Sequence, residues 1–243
     1  MISNEKDHER VVDKVTEPSL SAHNCALNIS ELLPGDILLY RSMHQKKLQQ
    51  KISTATGSPY THASIYLGDG IIAEATPPKI RKYKLSNGLV NDVCIGVLRS
   101  QCGFCGCRSN KLREFIDELV CQDSRYDFCG ILHFTKKNKA HFENQIKVIK
   151  ENYGKLTSDE EFANKNYFCS ALVVACYAVV GIIAESAQVA YPPQVLSPAD
   201  LHRDSTFGWL LGYLIPAGQT VPTDDPLLLL TLWKDNLSAR WWK

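Results

Sequence analysis

Apolar positions change their spacing several times along the chain, and those changes mark out the elements. Residues 37–40 form a short apolar run behind the turn residues Pro34-Gly35-Asp36, which predicts a buried strand. Residues 46–53 are polar with helical spacing and predict a short helix, broken by Gly57-Ser58-Pro59. Residues 62–67 and 71–75 are apolar runs on either side of Gly68-Asp69-Gly70, which predicts a tight hairpin. Pro77-Pro78 ends its second strand, and residues 93–98 are a further strand candidate. Leu112, Phe115, Ile116 and Leu119 fall on one helical face, predicting a helix over about 110–121. Residues 141–151 read as helical, and Thr157-Ser158-Asp159-Glu160 as a helix start. Residues 168–180 are apolar nearly all round, as in a helix buried in a core. Ser197-Pro198-Ala199-Asp200 has the form of an N-cap followed by proline at the first helical position, and 207–215 is strand-like up to Pro216.

Strands early, a buried helix late and further helices between them predict one α+β domain. Its expected limits are residues 29–216, preceded by a polar arm over 1–28 and followed by an apolar, aromatic extension over 217–243. Leu227 to Lys243 is expected to pack on the domain as a final helix. The alternative is peripheral contact with a membrane surface, leucines and tryptophans inward and Lys234, Arg240 and Lys243 near headgroups.

Composition narrows the class. The chain has 243 residues, 44% hydrophobic and 22% charged, enough for a sizeable core without staples. A net charge of +1 offers no electrostatic footprint for nucleic acid. Nine cysteines, odd in number and scattered, do not form a disulfide framework. The polar start lacks the apolar stretch of a signal peptide, and no run of about 18 apolar residues predicts a membrane span. The default expectation is a cytoplasmic protein, with signal-less export left open. Cys102, Cys105 and Cys107 form one dense triplet without the second ligand pair that structural zinc commonly uses. The expectation is no metal and no cofactor.

Candidate chemistry centres on Cys169, placed where the buried helix begins. Unpaired backbone N–H groups and the positive end of the helix dipole favour thiolate there. His62 heads the first strand of the hairpin, and Glu74 lies near the far end of the returning strand. Antiparallel pairing brings those two ends together on one face, close enough for a carboxylate to orient an imidazole. Cys169 is thus the candidate nucleophile, His62 the base and Glu74 the orienting group. Each has an alternative taken alone: a small buried hydrophobe, a structural histidine, a solvated carboxylate.

The segments P-G-D-I-L-L-Y, T-H-A-S-I-Y-L-G-D-G-I-I-A-E-A, R-Y-D-F, N-Y-F-C-S-A-L-V-V-A-C-Y and S-P-A-D-L together resemble the circularly permuted papain-like families. The likeness is greatest to the YiiX-like, permuted NlpC-type group and more distant to the lecithin–retinol acyltransferase-like group. It covers about residues 29–203. The histidine motif precedes the cysteine motif, the reverse of papain order. The resemblance implies a permuted papain-like fold, an antiparallel sheet or small barrel packed against the helix that carries Cys169. It also implies that nucleophile, base and third polar residue fall on Cys169, His62 and Glu74. Tyr126, in R-Y-D-F, resembles a tyrosine lining the pocket near the oxyanion site; its alternative is a core tyrosine. The stretch between Arg99 and Tyr126 departs from the family pattern. The implied activity is thiol-dependent cleavage of an amide, peptide-like or from a cell-wall fragment, or of an ester. A lipid acyltransferase or phospholipase with the same residues is the alternative, and a non-catalytic binding module the third. The expected partner is a small peptide-like or lipid acyl substrate; oligomeric state stays open.

Overall fold

A computed structural model describes residues 25–85, 91–104, 106–230 and 232–236. Most of the expected arm, Cys105, Arg240 and Lys243 therefore lie outside the described residues. Six strands form one open sheet: β1 (Ile37–Ser42), β2 (His62–Gly68), β3 (Ile71–Thr76), β4 (Lys79–Lys84), β5 (Asp92–Arg99) and β6 (Trp209–Leu214). Their order is β4-β3-β2-β1-β5-β6, every neighbouring pair antiparallel. The helices are α1 (Lys47–Thr56), α2 (Gly106–Cys121), α3 (Phe128–Glu143), α4 (Gln145–Asn152), α5 (Asp159–Ala163), α6 (Cys169–Val179), α7 (Pro198–Arg203) and α8 (Trp233–Asn236). None among the described residues is long and apolar enough to cross a membrane.

Alternation along the strands sorts the sheet into two faces. Ala63, Ile65 and Leu67 of β2, with Ala73 and Ala75 of β3, join the main core around α6. Tyr40, Tyr66, Ile72, Ile95 and Val97 form a smaller cluster on the opposite face. Every residue of α6 is buried, which explains why its sequence shows no polar stripe. Tyr177 near its end donates to the carbonyls of Gly35 and Phe207, 3.0 and 3.2 Å away. Gly35 itself has φ +91°, and a Cβ there would meet the Phe104 ring. The adjacent Asp36 is buried and takes a two-pronged ion pair from Arg99, at 2.8 and 2.7 Å. The turn Pro34-Gly35-Asp36 thus joins β1, β5 and α6.

Two elements differ from the sequence reading. Strand β4, beyond Pro77-Pro78, has no apolar run: only Ile80 of Lys79–Lys84 is fully buried, and lysines line this sheet edge. Its signal is register with β3, not hydrophobicity. The helical stretch expected at 141–151 is two helices. Helix α3 starts far earlier, where Asp127 caps it by accepting from the Gly130 N–H at 2.7 Å. It ends at Asn144, whose N–H turns back to the Ala140 and His141 carbonyls before α4 begins. The buried stripe of α3 is thin, Gly130, Phe134 and His141, so periodicity does not reveal it. Ser158 and Ser197 cap α5 and α7, each accepting from the N–H three residues on.

Leu227 packs into the space left by Gly96, where a Cβ would collide with it, and Leu229 beside it is exposed. Ahead of them, the buried carboxylate of Asp225 accepts from Tyr60, Tyr213, Arg41 and the Leu227 N–H, at 2.8–3.1 Å.

Candidate active site

The hairpin β2–β3 places two of the candidate residues. Gly68, Asp69 and Gly70 all take positive φ, which reverses the chain sharply, and Tyr66 Oη accepts from the Gly70 N–H at 2.8 Å. Ile65 pairs with Ala73, so one further step sets Glu74 opposite Ser64, on the face shared with His62. His62 Nε2 and Glu74 Oε2 lie 2.6 Å apart. The Cys169 thiol lies close enough to the same imidazole that each group shifts the other's pKa. Cys169, His62 and Glu74 thus form one continuous chain of contacts.

The thiol reaches this point because α6 begins there. Phe168 occupies the N-cap, and its side chain supplies no cap. The first N–H groups of a helix have no partner within it. The backbone N–H groups of Ser170 and of Ala63 in β2 lie near the Cys169 sulfur and favour its charged form. Burial by itself would raise the thiol pKa. The hydrogen bond and charge of His62, with these two N–H groups, overcome it and hold the pKa below its ordinary value. Burial likewise opposes charge on the His62 ring, yet hydrogen bonds to Cys169 and Glu74 and their charges lift its pKa to about 10. Both shifts run in the direction of a thiolate–imidazolium pair. The His62 ring keeps 21% of its surface exposed and the Glu74 side chain 4%, so the pair opens outward from a dry base.

Sequence reasoning missed what holds Glu74. Arg81 lies directly across from it in β4, and its Nε and Nη2 both donate to Oε1, at 3.1 and 2.9 Å. Tyr83 lies close enough to the same carboxylate to help lower its pKa. Burial would raise the Glu74 pKa; His62, Arg81 and Tyr83 together bring it down to about 2. Arg81 thereby leaves Oε2 to the imidazole. The readable signal was the alternation of K-I-R-K-Y-K, which requires recognising β4 first. Tyr40 stands 5.1 Å from the His62 ring, centroid to centroid, its hydroxyl 2.8 Å from Ser64 Oγ. Asp92 lies near enough to feel the charges of His62 and Glu74; burial raises its pKa to about 6, against a hydrogen bond from Ser42.

Tyr126 is brought to the same place. It is buried, and the charge on Cys169 contributes to the rise in its pKa, after burial. Its N–H donates to the Pro78 carbonyl at 2.9 Å, and it forms a bridge to Tyr167, two residues before Cys169. The 124–127 segment therefore straps the β3–β4 turn to the start of α6. The stretch between Arg99 and Tyr126 is mostly α2, whose Leu112, Phe115, Ile116 and Leu119 pack into the main core. Cys102 and Cys107 are exposed, and no group of three or more metal-ligating side chains occurs among the described residues. A separate cavity of about 450 Å³, lined by Phe142, Tyr191, Leu196, Asp200 and Arg203, includes none of the three central residues.

Residues 31–206 match the model of the permuted papain-like amidase family described as YaeF/YiiX, C92. The chain is 25% identical over 181 residues to the probable lipoprotein peptidase YaeF of Escherichia coli K12, a match covering 70% of this chain. It spans 63% of that relative's length. Among solved structures it is similar to the metalloprotein yiiX of Escherichia coli O157:H7, with 16% identity and a TM-score of 0.41 over 79% of this chain and 98% of that one. With the histidine strand ahead of the cysteine helix and more than half of its length matched, the chain belongs to the YaeF/YiiX family of permuted papain-like amidases.

Proposed function

We propose that this protein cleaves an amide bond through an acyl-enzyme on Cys169. The observation that carries the reading is the linked set of contacts from Cys169 through His62 to Glu74, in which the thiol is held acidic and the imidazole basic. The Cys169 thiolate attacks the carbonyl carbon and forms a C–S bond. The oxyanion that develops is met by N–H groups at the start of α6, with Tyr126 beside it. As the tetrahedral species collapses, the C–N bond breaks and the His62 imidazolium gives its proton to the departing amine. Neutral His62 then takes a proton from water. The resulting hydroxide attacks the thioester carbonyl, the C–S bond breaks, the acid leaves, and the sulfur departs as thiolate beside the His62 imidazolium. Glu74, held by Arg81 and Tyr83, keeps the imidazole turned toward the sulfur throughout.

Two measurements test this. Alkylation of the full chain by iodoacetamide across pH should show Cys169 reacting well below the pH at which a free thiol does, and His62→Ala should remove that advantage. Incubation with a panel of short peptides and N-acyl amides, followed by intact-protein mass spectrometry, should reveal an acyl adduct on Cys169 that is lost in Cys169→Ala. Alkylation no faster than that of free cysteine, and unchanged in His62→Ala, would overturn the reading.

A further inference from the structure

Helix α3 begins two residues beyond Tyr126 and presents an outer face that is largely exposed. Phe128 and Leu132 are 51% and 73% exposed, in contrast to the buried Phe134 on the opposite side. Phe128, Leu132, Lys136 and Lys139 recur at intervals of four, four and three, so they share one stripe along the helix. The apolar pair lies at the end nearest the thiol: the Phe128 ring is 5.0 Å from that of Tyr126, and on the inner side Phe134 meets Phe168, the residue before Cys169, at 5.8 Å. The cationic end follows. The helix carries three lysines against one glutamate, while the whole chain nets only +1. Lys139 spends part of its charge on Glu143, 3.7 Å away and exposed.

Bulky apolar side chains and lysines on one helical face suit a surface that deforms around them and bears negative charge. We infer that the outer face of α3 docks on an anionic lipid bilayer and that the amide taken by Cys169 belongs to an amphiphile held in that bilayer. The inference deepens the proposed function and rests on it for the chemistry alone. Phe128 and Leu132 would enter the acyl region, Lys136 and Lys139 would meet lipid phosphates, and the substrate carbonyl would pass along Tyr126 to the sulfur.

Co-sedimentation of the full chain with phosphatidylcholine vesicles, with and without phosphatidylglycerol, tests it. Binding is expected to the anionic vesicles, to weaken with salt, and to fall by about tenfold or more in Leu132→Glu and again in Lys136→Glu/Lys139→Glu. Both variants alter exposed side chains, and circular dichroism checks their folding. No binding to anionic vesicles overturns the inference. So does binding that these variants leave intact, which would assign it to another surface. Self-association that Leu132→Glu dissolves, without vesicle binding, overturns it in favour of a protein partner. Cys169→Ala should bind vesicles as wild type does. If vesicle binding meets these expectations while no acyl adduct forms on Cys169 with any amide, soluble or embedded, the proposed chemistry fails and the docking stands.

Discussion

The two oxygens of Glu74 have different partners, and the difference can be tested. Oε2 meets His62 and Oε1 meets Arg81. Arg81→Ala frees the carboxylate to rotate, so kcat should fall by about tenfold, some 1.4 kcal/mol, with KM little changed. His62→Ala removes the proposed base, and steady-state kinetics should show a loss of about 10²–10⁴-fold. Activity should be bell-shaped in pH. The acid limb follows formation of the thiolate; the alkaline limb follows loss of the His62 proton, near pH 10 in wild type and lower in Glu74→Gln. Stability carries the same signature. Because the Glu74 pKa is depressed to about 2, its contribution is full above about pH 4.5 and is lost as pH falls toward 2. His62 is raised, so its contribution is full below about 6.5 and is lost as pH rises through 10. Urea titrations of Glu74→Gln should therefore lose less stability than wild type between pH 4.5 and 2. The meeting of His62 and Glu74 was legible because an Asp-Gly hairpin fixes which strand ends coincide. Arg81 was not legible, since its place depends on the register of a strand made mostly of charged residues.

Elements divide along the same line. Helix α6 could be read from its unbroken apolar run, and α7 from Ser197-Pro198, because burial and capping write directly into the residues. Strand β4 and the first half of α3 could not, because one is a polar sheet edge and the other shows more apolar side chains outward than its burial needs. Turns sit between these cases. Pro34-Gly35-Asp36 announces a turn, but the contact that makes Gly35 necessary, with Phe104, comes from far along the chain. Gly35→Ala, at φ +91° and against that ring, should cost about 1–3 kcal/mol in urea denaturation.

For the molecule as a whole, the segment after β6 is fastened by Asp225. Its carboxylate is fully buried and joins Tyr60, at the entry to β2, to Arg41 of β1 and Tyr213 of β6. Asp225→Ala leaves a largely buried guanidinium and two hydroxyls without their partner, and should destabilise the fold by about 3–5 kcal/mol in chemical denaturation. The order of elements has another result, one that concerns synthesis. A ribosome delivers strands β1 to β5, and with them His62, Glu74 and Arg81, before it delivers Cys169. Until α6 emerges, Ala63, Ile65 and Ala73 have no helix to cover them. Under the proposed chemistry, Cys169 meets His62 only when that helix closes the core, so a half-made chain would carry His62 and Glu74 but no activated thiol.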